Sequence, residues 1–227
     1  MIRPALARLA GRWVWGRPRR AAALLESFEL AEASSMLDLL AAARLTPSAE
    51  RRALYLRHAL DEDRHAHAFA ARARELRRDS GTVGAGGSAD FDALYERLGE
   101  LGFVAFVHHG ERRGHAQFVA HRDELRRRGD ARGEALFSAI LEDEARHARY
   151  SGELLYALAG SERAAGAALR RVALRELLWR WRRAGRVIAR AAFALLTTVL
   201  YVAIAPIALA YRLLGRGRRG WLPPEPR

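Results

Sequence analysis

The sequence contains no cysteine and no lysine. Without cysteine there are no disulfides, no thiolate-bound zinc, no iron–sulfur cluster and no thiol catalysis. Without lysine, Schiff-base chemistry and the phosphate-binding P-loop are excluded as well, and all 39 basic residues are arginine. No stretch alternates apolar and polar residues as a half-buried strand requires. What is present is 227 residues, 50% of them apolar and 29% charged, enough for one domain with its own core.

The net charge of +13 is unevenly spread. Residues 1–20 hold six Arg and no acid, residues 21–160 hold 19 Arg against 23 acids, and residues 161–227 hold 14 Arg against three acids. The middle is mildly acidic and both ends are strongly basic. A nucleic-acid binder spreads basic charge over its folded surface, so no nucleic-acid partner is expected. A soluble body tethered to an anionic membrane surface fits the layout better.

Residues 1–20 lack the continuous apolar stretch of a signal peptide. Trp13 and Trp15 among Arg12, Arg17, Arg19 and Arg20 suggest a basic leader lying at a membrane interface. Residues 21–160 read as four long helices. The first, 21–44, is stopped by Thr46-Pro47-Ser48, and Ser48 is placed to cap a second helix running to about Arg78. The Gly-rich segment Asp79–Asp90 is a linker. A third helix is expected from Phe91 to Arg128, bent near Gly110–Gly114, and a fourth from Ala131 to Ala159. Two helix pairs with a longer crossover between them make a four-helix bundle. Residues 161–190 form a basic amphipathic connector. Residues 191–211 are 21 residues without a charge, and at 1.5 Å per residue span roughly 31 Å, the thickness of a bilayer core. A re-entrant course broken at Pro206 is the alternative to a full crossing. Residues 212–227 are a basic tail.

Two segments carry the chemistry: Asp61-Glu62-Asp63-Arg64-His65-Ala66 and Asp143-Glu144-Ala145-Arg146-His147-Ala148. Glu and His three apart share one helix face and can reach one metal ion. Seventeen glutamates and eight histidines give about 0.6 Glu-x-x-His by chance. Two occur, with the same Asp, Arg and Ala around them. Glu111 lies 33 residues before Glu144, and the same offset from Glu62 lands on Glu29, with Glu32 the next choice. His108 and His115 share the Glu111 face. Tyr55 and Tyr150 lie near the motifs, and His58, His67, His109 and His121 read as ordinary core or surface residues.

This set, Glu29, Glu62-x-x-His65, Glu111 and Glu144-x-x-His147, resembles the ligands of the ferritin-like di-iron carboxylate proteins over residues 21–160. The resemblance implies an all-α, ferritin-like four-helix bundle followed by a membrane-associated helix. It implies two Fe ions, with Mn or a mixed Mn/Fe pair equally compatible with the donors. Glu62 and Glu144 would bridge them, Glu29 and Glu111 would be terminal ligands, and each metal would take one His. Asp61 and Asp143 would accept the remaining ring N–H of a ligand His, while Arg64 and Arg146 would offset the buried carboxylate charge.

The membrane tail argues against a soluble storage cage. The expected function is oxidation of an organic, lipophilic substrate by O₂, with an unidentified electron donor. Iron or peroxide handling is the alternative, and a metal-free membrane adaptor the third reading. The expected location is the cytoplasmic face of the inner membrane with a C-terminal anchor, and homodimerisation is left open.

Overall fold

The computed structural model describes residues 11, 13–84 and 87–213, and every described regular element is helical. The first helix, α1, is Pro18–Leu45. Pro18 opens it, where a missing N–H costs nothing and the fixed φ is already helical. Helix α2 is Ala49–Asp79, and its cap is Ser48, whose side chain accepts the Arg51 N–H at 3.2 Å.

Helix α3 is Leu94–Arg128 and breaks at Gly99, with φ 68° and ψ 167°. The bend expected near Gly110–Gly114 is therefore misplaced. Those two glycines keep helical geometry, and the interruption falls where a residue must adopt positive φ. Gly129, at φ 72°, ends α3. Helix α4 is Ala131–Ala159, capped by Asp130, which accepts the Gly133 N–H at 2.9 Å. Arg72 of α2 donates to both oxygens of Asp130 at 2.9 and 2.8 Å, so α2 holds the start of α4 in place.

Helix α1 packs along α2 and α3 along α4, and the two pairs meet where α1 faces α3 and α2 faces α4. The apolar side chains fall into two clusters. One gathers Leu39, Tyr55, Ala59, Phe103, Val104 and Leu155. The other gathers Leu25, Phe28, Phe69, Phe118, Phe137 and Ile140. Tyr55, Phe69, Phe103 and Phe137 lose essentially all contact with water, each worth about 1.5–3 kcal/mol. On every one of the four helices a glutamate separates the two clusters: Glu32, Glu62, Glu111 and Glu144.

Helix α5, Glu162–Leu213, is continuous through the residues expected as connector and apolar segment. Its first turns belong to the body, because Ala165, Ala168 and Val172 are buried in the first apolar cluster. The chain divides into two compact units at Ala173 and Leu174. In the second unit, Ile188–Leu213 is 26 residues of mean hydropathy 2.2 with no buried side chain, long and apolar enough to cross a membrane. Thr197 and Thr198 donate to the carbonyls of Phe193 and Ala194, so neither hydroxyl lacks a partner in an apolar surrounding.

Much of the expected interfacial leader, residues 1–10 and 12, lies outside the described residues, as does the tail from 214 onward. Trp15 differs from expectation. Its indole N–H donates to His121 Nδ1 at 3.1 Å, and its ring meets Phe137 edge-on. It is a core-packing residue of the helical body. Trp13 is exposed and stacks under the Arg20 guanidinium.

Candidate metal centre

Each of the four long helices delivers at least one titratable side chain to the layer between the apolar clusters. Glu32 comes from α1, His58, Glu62 and His65 from α2, Glu111 from α3, and Glu144 and His147 from α4. All seven are buried. They form two groups whose ligand atoms lie within 4.8 Å of one another: His58, Glu62, Glu111 and His147 in one, Glu32, Glu62, His65 and Glu144 in the other. Glu62 belongs to both. A buried charged side chain is rare unless it is paired or holds a metal, and here seven share one layer.

The two motifs support each other crosswise. His147 Nε2 donates to Asp61 at 3.0 Å, and His65 Nε2 donates to Asp143 at 3.0 Å. Each aspartate therefore holds the histidine of the opposite motif. Arg64 pairs with Asp61 and reaches Asp143 at 3.2 Å, while Arg146 pairs with Asp143 and reaches Asp61 at 3.5 Å. The two arginines are more than half exposed and sit on the aspartates, so their charge acts at the rim rather than on the four glutamates. Burial works against ionised Asp61 and Asp143. His147 and Arg64 at the first, and His65 and Arg146 at the second, outweigh it and hold both carboxyls below their ordinary values.

Since Nε2 of each histidine carries the proton given to Asp, Nδ1 is a lone-pair acceptor. Neither Nδ1 has a hydrogen-bond partner. His65 Nδ1 faces Glu144 at 3.7 Å and Glu32 at 4.0 Å. His147 Nδ1 faces Glu111 at 3.6 Å and Glu62 at 3.7 Å. One oxygen each of Glu62 and Glu111 is likewise buried without a partner. Such atoms are costly to bury alone. Unpartnered imidazole nitrogens aimed at carboxylate oxygens are a donor set for a first-row divalent ion. Four carboxylates also match the charge of two such ions.

The metal-free electrostatics point the same way. Burial, then Glu111 and Glu32 nearby, pushes the Glu144 carboxyl up to about 11. Burial and the neighbouring acids raise Glu32 and Glu62 well above the ordinary carboxylate range. Glu111 runs the other way: burial would raise it, but N–H groups of His147 and His58 turned toward it, in the form of those rings that carries a second proton, bring it down to about 2. Burial lowers His65 despite Asp143, which favours the neutral, ligating form.

Six of the seven clustered residues follow the sequence reading or its stated second choice. The glutamate of α1 at the cluster is Glu32. Glu29 is half-buried and belongs to neither group. The resemblance also implies two bridging glutamates and one His per metal. In the structure only Glu62 is common to both groups, and the first holds two histidines. The added one, His58, was read as ordinary. Its Nε2 lies 2.6 Å from Glu62 and 3.4 Å from Glu111, and its Nδ1 lies 2.6 Å from the Tyr150 hydroxyl. The signal was available, since His58 sits four residues before Glu62 on the same face. His108 turns away to the Ala148 carbonyl and Ser151, and His115 belongs to neither group. Tyr55 donates to Glu100 at 3.1 Å, away from the cluster.

A cavity of about 280 Å³ opens onto these carboxylates between α1 and α3. Phe28, Leu39, Phe103, Val107 and Phe118 give it apolar walls, and Glu32, Glu62, Glu111 and Glu144 lie along it. Gly110 and Gly114 line it too. A Cβ at Gly110 would meet nothing within 4 Å, whereas one at Gly114 would stand 3.2 Å from Glu144. Comparison with known proteins finds no matching family model, no matching curated protein and no matching solved structure.

Proposed function

We propose that this chain is a membrane-associated di-iron oxidoreductase built on a ferritin-like four-helix bundle, oxidising an organic, lipophilic substrate with O₂. The observation that carries the reading is the pair of unpartnered Nδ1 atoms on His65 and His147, each held by an aspartate of the opposite motif and each facing buried carboxylates. Two iron ions held by Glu32, His58, Glu62, His65, Glu111, Glu144 and His147 would supply the electrons for O₂ reduction that no side chain here can supply. Manganese suits the same donors.

The chain's own residues do the rest. Asp61 and Asp143 fix the tautomer and orientation of the two histidines. The apolar clusters on either side keep the layer dry, which strengthens every charge interaction within it. The cavity brings an apolar ligand against the carboxylates, with Gly110 and Gly114 leaving the space. His58 and Tyr150 hold a proton between Nδ1 and the phenol oxygen at the edge of the layer. The C-terminal apolar helix supports attachment to a membrane, from which a lipophilic substrate would come, and a cytoplasmic body supplied by a separate electron donor fits the use of reduced iron.

The test is anaerobic loading of the detergent-purified protein with Fe(II), then exposure to O₂, with metal analysis, oxygen uptake and Mössbauer spectroscopy. About two irons per chain should bind and oxidise together, and Glu62→Ala/Glu144→Ala should retain none. No stoichiometric metal in the unmodified protein would overturn the reading and favour a helical membrane adaptor. A second reading rests on Asp38 and Asp92, which add acidic groups to the cavity lining. Iron itself would then enter as substrate, in iron or peroxide handling, and more than two irons retained per chain would favour it.

A further inference from the structure

The two halves of the body repeat with an offset of 82 residues: Asp61 with Asp143, Glu62 with Glu144, Arg64 with Arg146, His65 with His147. Among the positions where the repeat fails are two whose side chains touch each other. His58 corresponds to Ile140, a buried member of the second apolar cluster, and Tyr150 corresponds to Ala68. The second half thus has an alkyl group where the first has an imidazole, and the first has a methyl where the second has a phenol. Both exceptions serve one group of ligands. His58 Nε2 points at Glu62 and Glu111, its Nδ1 is held by Tyr150, and its ring stacks on His147 at 3.7 Å between centroids.

We infer that the two metal positions are chemically unequal and that His58 makes them so. The inference rests on the metal-centre reading above. One position offers two imidazoles with Glu62 and Glu111, and the other offers one imidazole with Glu32, Glu62 and Glu144. Imidazole suits the later first-row ions, whereas carboxylate-rich sites suit Mn²⁺. The His58 position is filled first and selects Fe²⁺ or Co²⁺. The Glu32 position binds more weakly and accepts Mn²⁺. Tyr150 is a positioning residue: it fixes the ring so that Nε2 faces the carboxylates and Nδ1 does not.

The test is anaerobic titration of the metal-free, detergent-solubilised full chain. Co(II) is followed by its visible bands, and Mn(II) by electron paramagnetic resonance after loading with one equivalent each of Fe(II) and Mn(II). The expected result is two Co(II) phases about tenfold or more apart in affinity, and one Mn with one Fe per chain from the mixture. His58→Gln should remove the tight phase and leave the weak one. Tyr150→Phe should weaken the tight phase several-fold and leave the weak phase unchanged, which a purely structural role would not do. Two ions bound with equal affinity, together with an unselective mixture, would overturn the inequality and leave the metal centre standing. Failure of the unmodified chain to bind either ion would overturn the metal centre itself, and this inference with it. Both of these outcomes are read on the unmodified chain and need no folded variant.

Discussion

Asp61 on α2 accepts the Nε2 proton of His147 on α4 at 3.0 Å, across 86 positions of sequence. That bond fixes which nitrogen of His147 is left free. The lone pair on Nδ1 faces Glu62 and Glu111 only because the other nitrogen is occupied. Asp143 does the same for His65.

The cross-support predicts a defect in metal binding rather than in folding. Asp61→Ala frees the His147 ring to rotate and to take the other tautomer. Metal affinity should fall by about 10–100-fold. Circular dichroism should show the helices intact, because Asp61 belongs to neither apolar cluster. Asp61→Asn keeps an acceptor at the same place and should recover much of the loss. Isothermal titration with Co(II) distinguishes the three proteins, and equal affinities would refute the orienting role.

Glu32 and Glu29 provide the next test. Glu32→Ala should remove about one metal ion per chain, and Glu29→Ala should leave metal content unchanged. Metal analysis of the two purified variants decides it, and the opposite pattern would restore Glu29. Both residues lie three apart on nearly the same face of α1, so the sequence offered both. The 82-residue repeat favoured Glu29 because it corresponds to Glu111. The counterpart of Glu32 is Gly114, which the cavity and Glu144 require to be small. The α1 glutamate of the cluster is therefore one turn further along than the repeat predicts, and that axial shift depends on how α1 packs against α3.

Local chemistry was more legible than such packing. Ser48 gave the start of α2, because capping is decided within a few residues. The paired motifs gave four of the seven clustered residues, and the 33-residue offset from Glu144 gave Glu111. Composition suggested a boundary near residue 190, yet nothing between Glu162 and Pro206 breaks a helix, and α5 runs through. Trp15 was read by its arginine neighbours, and its partners His121 and Phe137 are distant in sequence.

The metal-free protein should lose stability as pH rises. The Glu144 carboxyl ionises at about 4.5 when exposed and at about 11 in the fold, and Glu32 and Glu62 are raised as well. Folding with a raised carboxyl costs nothing below the ordinary value. Above it the unfolded chain is favoured by ionising first, so stability falls progressively from about 4.5 toward 11. On the acid side the sign reverses for Glu111, brought to about 2, and for His121, which burial lowers to about 4. Their stabilising effect is present above their ordinary values and fades as pH drops through the lowered ones. Thermal melts of the metal-free protein should therefore peak in mildly acidic buffer. Divalent metal should stabilise the neutral and alkaline range most, since it binds the ionised carboxylates. A metal-free melting temperature that rises from pH 5 to pH 9 would contradict the burial of these carboxyls.

The cavity separates an organic substrate from an inorganic one. Gly110 is half-buried in helical geometry, and a side chain there meets open space rather than a ligand. Gly110→Leu should fill part of the 280 Å³ between α1 and α3 while leaving the clustered carboxylates and histidines in place. Replacing a helical glycine should also raise thermal stability slightly, by up to about 1 kcal/mol. If the substrate is organic, the variant should bind metal at the normal ratio and still consume O₂ when given Fe(II). It should lose the capacity to take up a lipophilic probe, measured by displacement of a fluorescent fatty-acid analogue. If iron is the substrate, a single leucine in an apolar wall should not slow its oxidation, and probe binding should be absent from the unmodified protein too. Gly114→Leu is the contrasting variant. Its Cβ begins 3.2 Å from Glu144, so it should reduce metal content as well as fill the cavity. The difference between the two glycines, one turn apart on α3, would show that the cavity and the metal ligands share a wall but not a function.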